Sequence, residues 1–280
     1  MSLTSLIKSL HNAGGKPTLL PTIERFFMRK SHEYDEEKQA DRVTRFHPSQ
    51  ISYWGVCPRA YYLLMKREEL GFGLPRKEPF QTSLLRIFEH GHSIHEMYQN
   101  KILGPAGVLY GKWECNGDVI WGFQPSESWD YVEPRIWWGE KRISGYCDGF
   151  LFIDGKWTVL EIKSTNDQSF RWIKRSGEAK PYHARQAQLY LEAPNDAPDP
   201  MELEGAIILY INKDTGEEFE VFIEKDPESI RPIIEGIDVA IDSLDGDQPP
   251  PRVDDCKSSR SKRAKDCLAC NICFGVNDGG

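Results

Sequence analysis

The stretch from Arg142 to Ser164 reads RISGYCDGFLFIDGKWTVLEIKS, and it carries the strongest structural signal in the chain. Aromatic and branched residues form two short runs on either side of Asp154-Gly155, a dipeptide that is typical of a two-residue hairpin turn. With this turn, Ile153 pairs with Lys156, and the same register sets Asp148 opposite Glu161. The sequence therefore predicts a β-hairpin with two carboxylates near its open end.

The residues around that end form a chemical set. Side chains alternate along a strand, so Glu161 and Lys163 share a face with Asp148. Two carboxylates in close opposition repel, and a buried pair needs a cation to neutralise it. Mg²⁺ and Mn²⁺ prefer oxygen ligands, and a nearby lysine can position or deprotonate an attacking water. This set predicts metal-assisted phosphodiester hydrolysis. A register shifted by one residue, which would separate the carboxylates, is the alternative.

The same residues resemble a known family. GYCDG followed by LEIKS is similar to the D…ExK core of the PD-(D/E)XK nuclease superfamily. Asp148 matches the first carboxylate, and Glu161-Ile162-Lys163 matches the Glu-x-Lys element. The resemblance implies that Asp148, Glu161 and the main-chain carbonyl of Ile162 bind Mg²⁺ or Mn²⁺.

Two helical motifs resemble the RecB-like subgroup of this superfamily. Gly91 and His95 match its Gly-x-x-x-His motif, which implies that His95 is a further metal ligand. Gln186 and Tyr190 match its Gln-x-x-x-Tyr motif, which implies a catalytic role in binding phosphate or orienting the metal ligands. In each motif the two residues are four apart and share a helix face. His92 stays open as the alternative to His95, and Gln188 stays open as the alternative to Gln186.

The tail contains Cys267, Cys270 and Cys273 at steps of three, a spacing that is typical of three corners of a [4Fe–4S] cluster. Zinc is the alternative, although structural zinc sites more often use two separated pairs. SQISYWGVCPRAYYL resembles the N-terminal cysteine segment of CRISPR-associated Cas-four-type and AddB-type nucleases. That resemblance implies that Cys57 is the fourth iron–sulfur ligand, so that the cluster joins the chain ends. Cys256 is a further candidate, and which three tail cysteines bind stays open.

The resemblance implies an α/β fold, a RecB-like nuclease core with a mixed sheet flanked by helices and a helical iron–sulfur subdomain. We expect an N-terminal arm of unknown function over residues 1–45, with one helix at most. Residues 46–250 are expected to form the nuclease domain. Residues 251–280 are expected to form a Cys-rich segment that closes the iron–sulfur site with Cys57.

Charge limits the kind of partner that the surface can bind. The 280 residues include 35 Lys and Arg against 43 Asp and Glu, a net charge of −8, so a polyanion must meet a local basic patch. Trp172, Lys174 and Arg175 follow the Glu-x-Lys strand and form one candidate DNA-binding patch. The longest apolar run, AIILYI at residues 206–211 with its neighbours, is far short of the roughly 20 residues that a membrane helix needs. We expect a cytoplasmic protein.

These observations predict a Mg²⁺- or Mn²⁺-dependent deoxyribonuclease. We expect an exonuclease that acts on single-stranded DNA ends in recombination, repair or DNA processing, with recombination or helicase proteins as candidate partners. Two alternatives stay open. One is a non-catalytic DNA-binding assembly module that keeps an iron–sulfur or zinc site, and the other is a site-specific endonuclease of the same superfamily.

Overall fold

The computed structural model describes residues 19–32, 36–73, 80–199 and 201–275. They fall into two compact units. The smaller unit contains residues 19–32 and 80–92, and the larger unit contains the remaining described residues. Within the described residues, no helix combines the length and the apolar character that crossing a membrane requires.

Ten α-helices lie in the described residues. They are α1 (Leu20–His32), α2 (Glu36–Thr44), α3 (Pro48–Trp54), α4 (Pro58–Met65), α5 (Thr82–Glu96), α6 (Asp167–Ser176), α7 (Pro181–Glu192), α8 (Arg231–Asp242), α9 (Lys262–Asp266) and α10 (Cys270–Phe274). A π-helical segment, Met97–Leu103, directly continues α5. Short 3-10 turns, Pro227–Ile230 and Ser243–Asp245, flank α8.

Nine strands complete the larger unit. They are β1 (Leu109–Cys115), β2 (Asp118–Phe123), β3 (Asp130–Val132), β4 (Arg135–Trp138), β5 (Ile143–Tyr146), β6 (Gly149–Ile153), β7 (Lys156–Thr165), β8 (Leu203–Asn212) and β9 (Glu218–Glu224). The main sheet has the order β2-β1-β6-β7-β8-β9, with β3 paired to β1, while β4 and β5 form a separate pair. Among the strands of the described residues, β7 and β8 are the one pair that runs in parallel, and α6 and α7 provide the crossover between them.

Helices cover both faces of the main sheet. On one face, Phe150, Val159 and Ile208 pack with residues of α6 and α7, among them Phe170 and Tyr190. On the other face, a second cluster brings the end of α5 and the π-helical segment against the strands: Ile94, Tyr98, Leu109, Trp113, Leu151, Leu160 and Ile162. The expected mixed sheet flanked by helices is therefore confirmed.

The predicted hairpin register is confirmed. Ile153 pairs with Lys156, and the ladder continues to the pair of Gly149 and Leu160. Asp154 and Gly155 have φ values of 51° and 79°, the positive values that a type I′ turn requires. The helical run that begins with α5 ends before Gly104, and its last turns are π-helical.

The N-terminal region differs from the expectation. Residues 1–45 contain two described helices, α1 and α2, where the sequence predicts one helix at most. Long-range pairing of Glu24 with Thr82 and Arg86 of α5 within the smaller unit helps to stabilise α1. The additional helix is α2, which the highly charged sequence around residues 36–44 does not mark. The boundaries at residues 45 and 250 stay predictions.

Gly149 begins β6 where the chain leaves Asp148, and it has a φ of +154°. A Cβ atom there would lie 2.5 Å from Leu109 Cδ1 and 2.6 Å from Tyr131 Oη. Leu109 is fully buried, so it has little freedom to move. Gly149 is therefore the residue that lets this strand lie close to β1.

We expect Gly149→Ala to lower the free energy of unfolding by about 1–3 kcal/mol, because the new methyl group overpacks the core. Gly155→Asn is the matched control, since its position is open and asparagine tolerates positive φ. Urea denaturation of the two variants checks this prediction. Equal stability of Gly149→Ala and the parent would contradict it.

Candidate active site

Two buried carboxylates meet beside β7. Glu161 lies within β7, and Asp148 lies in the short gap between β5 and β6, with exposed fractions of 3% and 6%. An oxygen of Asp148 accepts a hydrogen bond from the main-chain N–H of Ile162. Glu161 Oε1 forms an ion pair with Lys163 Nζ. The structure thus brings the hairpin residues together, although Asp148 lies just outside the strand ladder and not opposite Glu161 within it.

His95 reaches this pair from the last turn of α5. Its Nδ1 lies 3.1 Å from Asp148 Oδ1 and 3.9 Å from an oxygen of Glu133. Ligand atoms of His95, Glu133 and Asp148 all lie within 4.8 Å of one another. His92, the alternative, is exposed. The geometry therefore favours His95 as the histidine of this site.

Glu133 and Gln99 belong to the same cluster, and the sequence did not single them out. Glu133 lies between β3 and β4, and Gln99 lies in the π-helical segment. Gln99 Nε2 contacts Glu133 Oε1 at 3.3 Å and donates to the main-chain oxygen of Asp148 at 3.0 Å. No motif marks these positions, because their proximity depends on how the β3–β4 connection and the π-helical segment fold back. Gln99 therefore ties Asp148 to Glu133.

Gln186 and Tyr190 approach Glu161 from the opposite face of the sheet. Both are buried on α7, and Gln186 Nε2 donates to the Tyr190 hydroxyl at 2.8 Å. Burial raises the pKa of Tyr190 well above its usual range, and the charge of Glu161 raises it further. Gln188, the alternative, binds the backbone of Glu224 and Asp226 instead. The α7 face that looks toward Glu161 is therefore the one that carries Gln186.

The two carboxylates have different electrostatic surroundings. Burial raises the pKa of Glu161 to about 7; Asp148 adds to the rise, while Lys163 opposes it. Burial by itself would raise the pKa of Asp148, but His95, Lys163 and the Ile162 N–H hold it below its usual value. Burial by itself would lower the pKa of His95, yet its contacts with Asp148 and Glu133 raise it to about 10. Glu161 is thus the carboxylate whose charge is less well compensated.

One oxygen at this site has no partner. Glu161 Oε2 is buried, and among the described residues no group forms a hydrogen bond with it. A buried carboxylate oxygen without a hydrogen bond costs free energy, which a bound cation would offset. Carboxylate oxygens with one imidazole form a donor set that suits Mn²⁺ or Mg²⁺. The residues present therefore fit a divalent cation.

Five cysteines line a second candidate site. Cys57 precedes α4, and the other four lie in the tail. The cavity between them is lined by Cys57, Cys256, Cys267, Cys270, Cys273, Arg59 and Arg252, among others. Arg59 Nε and Arg252 Nε lie 3.3 Å and 3.4 Å from Cys273 Sγ. Burial raises the pKa of Cys267 to about 12. The fold thus brings Cys57 to the tail cysteines.

The distances between the sulfur atoms can be compared with those of a zinc site and of a four-iron cluster. Among the described residues, no three of the sulfur atoms lie within 4.8 Å of one another. A tetrahedral zinc site with Zn–S bonds of about 2.3 Å would place its sulfurs about 3.8 Å apart. A four-iron cluster separates its thiolates more widely. Among the described residues, the thiols thus share one cavity without the close spacing of a closed zinc site.

The candidate DNA-binding patch lies on α6. Trp172 is 48% exposed, and Arg175 is also exposed. Lys174 Nζ lies 3.1 Å from an oxygen of Glu217, so this charge is partly neutralised. The structure therefore leaves an aromatic ring and one arginine on this surface.

Comparisons with known proteins find similar structures but no family. No family model matches the chain, and no curated protein matches it. The chain is 14% identical to the alkaline exonuclease LHK-Exo from Laribacter hongkongensis, over 75% of this chain and 93% of that chain, with a TM-score of 0.43. The structure of the same enzyme in complex with dAMP is 15% identical over 75% of this chain and 93% of that chain, with a TM-score of 0.47. SSO0001 is 18% identical over 90% of this chain and 96% of its own, with a TM-score of 0.39. At these values the likeness decides nothing about the activity of this chain.

We expect Glu133→Gln to weaken Mn²⁺ binding by about ten-fold or more, because it removes one charged ligand or an outer-shell partner of His95. Glu140→Gln is the matched control, since Glu140 is exposed and is not a member of this cluster. Calorimetric titration of the two variants with Mn²⁺ checks the prediction. Identical affinities would place Glu133 outside the metal site.

Proposed function

We propose that this protein hydrolyses DNA phosphodiesters with Mg²⁺ or Mn²⁺, as an exonuclease on single-stranded ends. The observation that carries the proposal is the buried pair of Asp148 and Glu161 beside Lys163, with one carboxylate oxygen of Glu161 left unpartnered. Nucleases that use this arrangement need carboxylates for the ion and a cation for the reacting phosphate.

Asp148, Glu161, His95 and the main-chain oxygen of Ile162 would hold the divalent ion. A bound ion of this kind polarises a phosphoryl oxygen and lowers the pKa of a water molecule. Gln99 supports these metal ligands, because its Nε2 donates a hydrogen bond of 3.0 Å to the main-chain oxygen of Asp148. Asp148 is thereby held in position before the ion binds, which limits the reorganisation that binding requires.

Lys163, Gln186 and Tyr190 contribute to the reaction without binding the metal ion. The Lys163 ammonium, paired with Glu161, stabilises the negative charge that grows on the phosphate during attack. The Tyr190 hydroxyl accepts a bond from Gln186 and keeps its own proton to donate toward an anionic oxygen. Because burial disfavours ionised Tyr190, it acts as a donor and not as a base.

The choice of single-stranded DNA rests on charge and exposure. A net charge of −8 disfavours broad electrostatic binding of a duplex, which requires many phosphate contacts. Local aromatic and basic groups, such as Trp172 and Arg175, suit a strand whose bases are accessible. Proteins of recombination or helicase type, acting in DNA recombination, repair or processing, are the partners that we propose to supply such ends.

We expect Glu161→Gln to reduce cleavage at least about 100-fold, because the change removes a ligand charge without altering shape. Lys156→Ala is the matched control, since Lys156 lies on the same strand but pairs with exposed Glu204. The assay compares 5′- and 3′-labelled single strands with Mn²⁺, Mg²⁺ or EDTA, and the label released first gives the polarity.

Two results of this assay would contradict the proposal. Unchanged cleavage by Glu161→Gln would refute the site. Failure of the parent protein to cut linear or circular DNA with either metal would refute the nuclease function and favour a non-catalytic DNA-binding module.

The thiol cavity is the second part of the proposal. We assign it a [4Fe–4S] cluster held by Cys57, Cys267, Cys270 and Cys273, with Cys256 as the competing ligand. Support comes from the shared cavity and from the steps of three between the tail cysteines. A bridge between residues so distant in sequence stabilises the fold by restricting the unfolded chain. The cluster is structural in this proposal.

We expect Cys57→Ala to lose iron and visible absorbance and to melt at a lower temperature. Cys115→Ala is the control, because Cys115 lies on β1 and does not line the thiol cavity. Metal analysis of anaerobically purified protein checks this prediction. Full iron content in Cys57→Ala, or zinc in place of iron in the parent protein, would contradict the assignment.

A further inference from the structure

The face of α7 that carries Gln186 and Tyr190 extends one turn further toward its N-terminus. Tyr182, Gln186 and Tyr190 are spaced four residues apart, so they share one helix face. Burial raises the pKa of the Tyr182 phenol and the charge of Lys163 opposes the rise, in keeping with a position on the side of α7 that carries Gln186 and Tyr190. Tyr182 therefore lies one helical turn from Gln186 on the same side of α7.

Further rings continue from Tyr182 toward the surface. The Tyr53 ring lies 4.9 Å from the Tyr182 ring at 77°, and the Trp54 ring lies 4.9 Å from Tyr53 at 88°. Tyr53 is 41% exposed, whereas a core aromatic would be covered. We call Tyr182, Tyr53 and Trp54 the aromatic track. It leads from α7, one helical turn before Gln186, to an exposed edge of α3.

A lysine of the tail completes the aromatic track. Lys262 Nζ lies 3.2 Å from the Tyr53 hydroxyl, and it lies 5.6 Å and 5.5 Å from the ring centres of Tyr53 and Trp54. Among the described residues, no carboxylate lies within ion-pair distance of Lys262, although Lys174 on α6 pairs with Glu217. The positive charge at the aromatic track is therefore available to a phosphate.

The backbone below the aromatic track is fixed. Arg185 Nε of α7 donates to the main-chain oxygen of Ser52 on α3 at 2.8 Å, and Ser52 is fully buried. Arg263, next to Lys262, pairs with Asp255 at 3.1 Å and so helps to hold α9 in place. Rigid rings bind bases at a low cost in conformational entropy.

We propose that the aromatic track binds the bases of a DNA single strand next to the scissile phosphate, with Lys262 contacting the strand backbone. Stacking on aromatic rings with a nearby cation is how single strands are bound without sequence preference. A duplex keeps its base faces stacked inside, so it does not fit this surface. The inference rests on the proposed nuclease function, and it favours the aromatic track over the α6 patch as the principal strand contact.

The test measures strand binding by fluorescence anisotropy in EDTA, which stops hydrolysis. The probes are a labelled oligothymidylate of about 12 nucleotides and the same strand with abasic sites. We expect the parent protein to bind the abasic strand about ten-fold or more weakly. This comparison needs no variant, and equal binding of both strands would overturn the inference.

Variants then locate the contact on the protein. Tyr53→Ala should weaken binding of the normal strand by about ten-fold and bind the abasic strand like the parent, because a stacking partner is lost. Tyr53→Phe keeps the ring and should bind normally. Lys262→Ala should weaken binding of both strands, more at low salt than at high salt.

Trp172→Ala on α6 is the comparison that separates the two surfaces. Trp172→Ala should lower the affinity for the single strand less than Tyr53→Ala does. A larger loss in Trp172→Ala than in Tyr53→Ala would assign the strand to the α6 patch and overturn the inference. Cleavage by the same proteins with Mn²⁺ tests the nuclease separately. Base-dependent binding without cleavage would refute the nuclease alone, and cleavage with base-independent binding would refute only the aromatic track.

Discussion

The arrangement of this molecule depends on the burial of two like charges, Asp148 just before β6 and Glu161 within β7. Such a pair is unfavourable unless positive charge and hydrogen bonds surround it. Lys163, His95 and the Ile162 N–H provide part of that compensation from three different segments. One carboxylate oxygen of Glu161 has no hydrogen-bond partner among the described residues, and a divalent cation there would compensate the remaining negative charge.

Elements on both faces of the sheet converge on this pair. The end of α5 and the π-helical segment reach Asp148 from one face, while α7 reaches Glu161 from the other. The parallel pairing of β7 with β8 requires the crossover that contains α7, so the sheet topology itself brings Gln186 and Tyr190 to the site. The same helix extends outward to Tyr182, which links the chemistry to the aromatic track.

Local signals predicted the hairpin and its carboxylates well. Asp154-Gly155 determines a turn type, the turn determines the register, and the register determines which side chains meet. Glu133, Gln99 and Tyr53 could not be predicted in this way. Their positions depend on long-range packing, and an isolated glutamate, glutamine or tyrosine has no periodic pattern that marks it. The convergence of Cys57 with the tail was expected only through a family resemblance, since spacing alone does not locate a partner so distant in sequence.

The most direct test of the central claim is the anomalous scattering of Mn²⁺ in crystals grown with a short single-stranded oligonucleotide. The account predicts an ion in contact with Asp148 and the unpartnered oxygen of Glu161, with a phosphate of the strand beside Lys163. An ion bound elsewhere, with Asp148 and Glu161 free of metal at saturating Mn²⁺, would contradict it.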